Sequence, residues 1–168
     1  RESGIPHFYF NTNKRSVTLD LDRDEGRALF RRLVANADLV LEDAAPGVMR
    51  ERGLDYHSLA SLYPRLVVTS ITPFGQTGPY AHYVGTDQTL LAQGGLLNLM
   101  GRPGEPPTQA AGEQAYAMAC MFAAVGSMLA LLHAQASGQG QHVDVSVQEC
   151  VVMALENAAQ LYDLEHKV

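Results

Sequence analysis

The chain has 168 residues, 46% of them hydrophobic and 18% charged, with a formal net charge of −6. That length buries the core of one ordinary domain, and the apolar share excludes a disordered chain. The acidic balance argues against a nucleic-acid surface, which needs a Lys/Arg footprint.

Ser16–Leu21 alternates polar and apolar residues around β-branched Val17 and Thr18, which predicts a strand. Asp22 and Asp24 are N-cap candidates for the helix that follows, with Ala28, Leu29, Leu33, Val34 and Ala37 at helical spacing. Leu39–Leu41 reads as a short buried strand. Pro46 and Gly47 break the chain before a short helix ending near Arg52, and Leu54–Leu62 carries another helical turn or two. Leu66–Ile71 is an apolar, β-branched strand that runs into a glycine-containing loop. Strands alternating with helices at this spacing imply right-handed βαβ units and a parallel sheet.

The character then changes. Residues 72–85 form a loop, and Thr86–Met100 reads as a helix weakened by Gly94 and Gly95. A Pro/Gly connector, 101–112, leads to a long helix, Glu113–Ala136, whose apolar stretch Ala115–His133 is expected to be buried and not membrane-spanning. Gln141–Val145 is a strand, and Ser146 with Glu149 suggests a capping box on a terminal helix. The fold class is therefore α/β: a parallel Rossmann-like sheet with flanking helices and an added helical layer. Residues 1–85 form the Rossmann-like part and 86–168 the helical layer with one strand, continuing the same domain. Cys120 and Cys150 sit in apolar helical stretches and read as core residues in a reducing, cytoplasmic setting. The six histidines, His7, His57, His82, His133, His142 and His166, show no metal-ligand spacing, so no metal site is expected.

Three blocks carry a further signal: Asn11 to Leu21, Ser70 to Tyr80 (SITPFGQTGPY), and Gly138 to Ser146 (GQGQHVDVS). In this order and spacing they resemble the family III CoA transferases, the CaiB/BaiF and formyl-CoA transferase family that also includes α-methylacyl-CoA racemase. The resemblance runs from about Phe10 to Leu155 and implies a chain incomplete relative to the family fold, a piece of something longer that opens on Arg1, Glu2 and Ser3. It implies an aspartate nucleophile that attacks an acyl-CoA thioester, forms a mixed anhydride and passes CoA to an acceptor carboxylate. It also implies an interlaced homodimer or a fused pseudo-dimer, with acyl-CoA and a carboxylic acid as partners; the charge and the apolar run lengths add the expectation of no nucleic acid and no membrane.

Counting back from Gly138, the nucleophile position is Tyr116, which cannot form an anhydride. Three readings stand: Tyr116 fills the cleft of an inactive half, it acts as acid or base in a lyase or isomerase, or Glu113 beside Gly112 is the displaced nucleophile. For Glu113 a helix-start charge is the rival explanation. The CoA contacts implied by the resemblance fall on Leu19, Asp20, Leu21 and Asp22, on Asp43, Ala44 and Ala45, and on Glu51. Asp22 and Glu51 stand where the family favours lysine and arginine. A carboxylate about 4 Å from a phosphate costs on the order of 1–4 kcal/mol unless a neighbour such as Arg50 or Arg52 compensates. Thr86 occupies the position of a Tyr or His in active relatives, and Asp87 matches the family's acidic residue, with an N-cap role as the alternative.

Overall fold

Short apolar runs with β-branched residues build the sheet, most strongly at Val67–Thr72, because such side chains pack well on a pleated surface. The computed structural model describes residues 4–102, 104–156 and 158–165, less the side chains of Pro6 and Ala159; Arg1–Ser3 and His166 lie outside it. Strands β1 (Leu39–Glu42), β2 (Val67–Thr72) and β3 (His142–Ser146) pair in that order, all parallel. The sheet thus runs across the junction near residue 85, its third strand coming from the second half of the chain. Glu42 pairs with Ser70 and Ser70 with Asp144, so these three share one face; Thr69, Ile71, Val143 and Val145 point to the other.

The first face is covered by α2 (Asp24–Val34) and α4 (Tyr56–Ala60), where Val34, Leu59, Leu66 and Val68 form a buried cluster. Asp55 caps α4 by accepting from Ser58 N at 3.3 Å. The second face is covered by α6 (Gln114–Ser137), which lays Ala115, Ala119, Ala123, Ser127, Ala130 and Ala134 against it. Small residues at this spacing let the helix come close: a Cβ on Gly126 would stand 3.0 Å from Val143 Cγ1. The one polar member of that stripe, Ser127, meets buried Thr69 of β2 hydroxyl to hydroxyl at 2.7 Å. Helices α5 (Asp87–Gln93) and α7 (Val147–Met153) complete this layer, where Leu90, Leu91, Val147 and Val151 are wholly buried. Burial of each such side chain is worth roughly 1.5–3 kcal/mol. Short helices α1 (Ile5–Phe10), α3 (Val48–Glu51) and α8 (Ala158–Glu165) lie at the periphery.

Several sequence expectations change. Ser16–Leu21 is not a strand: residues 14–20 are irregular, and no described strand lies beside them to share a ladder. The N-cap of α2 is Arg23; Asp24 is the first helical residue, and Asp20 instead accepts from Asp22 N at 3.1 Å. The helix expected over Thr86–Met100 breaks at Gly95, whose φ of 87° ends α5 before a 3-10 turn at Leu96–Leu99. The reciprocal capping box belongs to Thr86 and Thr89 at the start of α5. At Ser146 the hydroxyl accepts from Glu149 N at 3.3 Å, and the terminal helix is divided into α7 and α8 around Glu156, at φ 45°.

Helix α6 departs most from expectation. Only its small-residue stripe is buried; Met121, Phe122, Val125, Met128, Leu129 and Leu132 are exposed, and so is Cys120. By length and composition alone this helix is apolar enough to cross a membrane.

Candidate functional site

Open parallel sheets bind ligands in the crevice beyond the carboxyl ends of their strands, and here two sites flank that edge on opposite faces. On the α6 side stands Tyr116, half-buried in the first turn of α6, its hydroxyl pointing to the Gly85 carbonyl at 3.5 Å. Asp87, from the start of α5, does not cap its own helix. Its Oδ1 accepts from Ala115 N at 2.8 Å and so caps α6, while its buried Oδ2 has no partner. Glu113 occupies the N-cap position of α6 but makes no side-chain cap hydrogen bond, and Gly112 enters it at φ 79°.

Burial raises the Tyr116 phenol above its ordinary pKa, and the carboxylates of Asp87, Glu113 and Asp43 push it the same way. The phenol is therefore neutral at physiological pH, a hydrogen-bond donor and not a base. The fold thus brings together four residues singled out in the sequence, Tyr116, Asp87, Glu113 and Asp43, with Thr86 capping α5 next to them.

The remaining positions divide. Asp22 receives two hydrogen bonds from Arg52, and Asp20 pairs with Arg23 at 3.2 Å. Leu19 and Leu21 are half-buried, and Glu51 is exposed on α3. Ala44 N donates to Glu42 Oε2 at 2.9 Å, which fixes the turn carrying Asp43. Ala45 lines a second concavity.

That second concavity is a cavity of about 370 Å³ on the α4 side of the sheet. Its floor holds Ser70 and His142, joined at 2.9 Å through Oγ and Nε2, with the imidazole stacked on Tyr56 at 5.7 Å between ring centroids. Asp144 beside them accepts from Gln76 N through both oxygens, at 3.2 and 3.0 Å. Sequence reading treats Gly138–Ser146 as a helix-to-strand connection only. The missed signal is its alternation, since His142, Asp144 and Ser146 recur at every second position and face one side of β3. Asp55, also lining this cavity, is pushed upward by burial, but hydrogen bonds from Ser58 and the charges of His57 and Arg50 outweigh that and hold its carboxyl below the ordinary value.

A parallel sheet with helices on both faces defines a Rossmann-like α/β protein. The chain belongs to CoA-transferase family III, whose sequence profile matches residues 1–168. It is 48% identical over 167 residues to succinyl-CoA:(R)-benzylsuccinate CoA-transferase subunit BbsE of Thauera aromatica, covering 99% of this chain and 41% of that protein. It is 41% identical over 152 residues to the succinyl-CoA–D-citramalate CoA-transferase of Chloroflexus aurantiacus, covering 90% of this chain and 38% of the other. A crystal structure of a CaiB/BaiF family protein from Brucella suis superposes with a TM-score of 0.89 at 38% identity, over 94% of this chain and 42% of that one. The chain thus spans about two-fifths of the length of these relatives.

Proposed function

We propose that this chain is the half of a family III CoA transferase that lacks the nucleophile, and that the intact protein moves CoA between carboxylic acids. The observation that carries this reading is Tyr116. Anhydride formation needs a carboxylate to attack the thioester carbon and expel CoA thiolate. Position 116 offers a neutral phenol, held neutral by burial and three carboxylates. The aspartate then comes from a non-identical partner, an intact second copy in a fused pseudo-dimer or the other subunit of a heteromer, because both copies of a homodimer would carry Tyr116. The Thauera relative is named as one subunit of a transferase, which supports the heteromer. Both named relatives use succinyl-CoA, so a short dicarboxylic acyl-CoA is the proposed donor and another carboxylic acid the acceptor. CoA is proposed to lie along Leu19–Asp22, Asp43–Ala45, Glu51 and Thr86. The reducing, cytoplasmic setting expected from the thiols belongs to the same proposal.

The test is to trap the acyl-enzyme. The longer protein, with its partner where one exists, is incubated with succinyl-CoA and hydroxylamine, and the hydroxamate is located by mass spectrometry. The expected adduct lies on an aspartate of the other copy or subunit. An adduct on Glu113 would make this chain the nucleophilic half and overturn the reading. A lyase or isomerase using Tyr116 is a second reading, favoured only by the neutral phenol as a proton donor; Tyr116→Phe then abolishes turnover, and retained turnover removes it.

A further inference from the structure

Arg52 makes an ion pair unlike those near it. Arg23 and Arg27 pair with Asp20 and Asp24, each three residues away within one segment. Arg52 reaches across thirty residues, and both its Nε and its Nη2 donate to a single oxygen, Asp22 Oδ1, at 3.1 and 2.8 Å. The Arg52 side chain is about two-thirds covered, at 31% exposure, whereas that of Asp22 stands 78% exposed. The backbone on both sides is fixed: Arg27 donates to Leu21 O at 3.0 Å and Arg31 to Gly53 O at 3.1 Å. The Arg52 guanidinium is thus closed by a solvent-facing carboxylate that uses only one of its two oxygens for the pair.

A guanidinium fork matches two oxygens of one phosphate, and Arg is the side chain best suited to that bidentate contact. An ion pair as exposed as this one opens at little cost. Resting on the CoA-binding reading above, we propose that Arg52 is this chain's phosphate anchor and that Asp22 masks it. The phosphate of the nucleotide portion displaces Asp22 from the fork, so Asp22 sets how tightly this half holds CoA. The acidic residue at position 22 then tunes CoA affinity down and does not abolish it.

Calorimetric titration of the longer protein with CoA, and with pantetheine, which carries no phosphate, tests the proposal. Asp22→Asn frees the fork and removes a like charge, so CoA is expected to bind about tenfold more tightly, with pantetheine unchanged. Adding Arg52→Gln to that variant is expected to cancel the gain. Equal CoA affinity for wild type and Asp22→Asn overturns the mask while leaving the CoA-binding reading standing. A gain that survives Arg52→Gln overturns Arg52 as the anchor. Absence of saturable CoA binding by either protein overturns both.

Discussion

At the scale of single residues, Tyr116 is where chemistry and electrostatics meet. Its hydroxyl lies 3.5 Å from the Gly85 carbonyl, the outer limit of a hydrogen bond. Tyr116→Phe is therefore expected to cost less than about 1 kcal/mol at neutral pH. At alkaline pH the sign of the effect is fixed by linkage. The folded phenol titrates above its ordinary value, so below pH ~10 both folded and unfolded states keep the proton and stability is unaffected. As pH rises above ~10 the unfolded chain loses this proton first, and wild-type stability falls until the folded phenol also ionises. Phe carries no proton, so urea midpoints at about pH 8 and pH 11 should drop more for wild type than for Tyr116→Phe. Equal drops would mean that in solution the phenol is neither buried nor faced by the carboxylates of Asp87, Glu113 and Asp43.

At the scale of elements, Gly26 explains how the irregular 14–20 segment meets the sheet layer. Alanine inside a helix normally stabilises by roughly 1 kcal/mol over glycine. Here a Cβ at position 26 would stand 1.8 Å from the Asp20 carbonyl oxygen, a backbone atom that cannot rotate away. Gly26→Ala is thus expected to destabilise, by about 2 kcal/mol or more, and to shift the thermal midpoint down; a rise would show that the 14–20 segment does not pack there. This contact also shows why some of the structure was legible in the sequence and some was not. Strands β1, β2 and β3 were legible because Leu39–Leu41, Leu66–Ile71 and Gln141–Val145 carry apolar, β-branched patterns that local chemistry alone satisfies. Ser16–Leu21 carries the same pattern but has no described strand beside it, and a ladder needs a partner that periodicity cannot reveal. The site was partly legible: Tyr116, Glu113 and Asp87 were singled out, but not that Asp87 would cap α6 through Ala115 N, a contact 28 residues away in sequence. Nor did the sequence order announce that Ser70 and His142, 72 residues apart, would meet at 2.9 Å.

At the scale of the whole molecule, α6 is turned inside out relative to an ordinary surface helix. Ala115, Ala119, Ala123, Ala130 and Ala134 face the sheet, and Met121, Phe122, Val125, Met128, Leu129 and Leu132 face outward. Each such side chain gains roughly 1.5–3 kcal/mol on burial, and contiguous exposed apolar patches of this kind drive association. The stripe committed to the sheet, with its Thr69–Ser127 hydrogen bond, already fixes which side of the helix remains available. Residues 1–168 produced alone are therefore expected to self-associate, and light scattering after size exclusion should report a species larger than 18.2 kDa. Replacing Val125 and Leu129, 58% and 63% exposed, by Glu should shift that species toward monomer, because burying two unpaired carboxylates is far costlier than leaving them in water. Far-UV circular dichroism should stay unchanged, since neither side chain packs on the sheet. The chain spans about two-fifths of its relatives' length, so the same pair of substitutions separates two outcomes in the longer protein. A thermal midpoint lowered by several degrees means that further protein covers this face there. An unaltered midpoint and oligomeric state mean that α6 keeps the face open, and that the association of the shorter piece is a property of that piece alone.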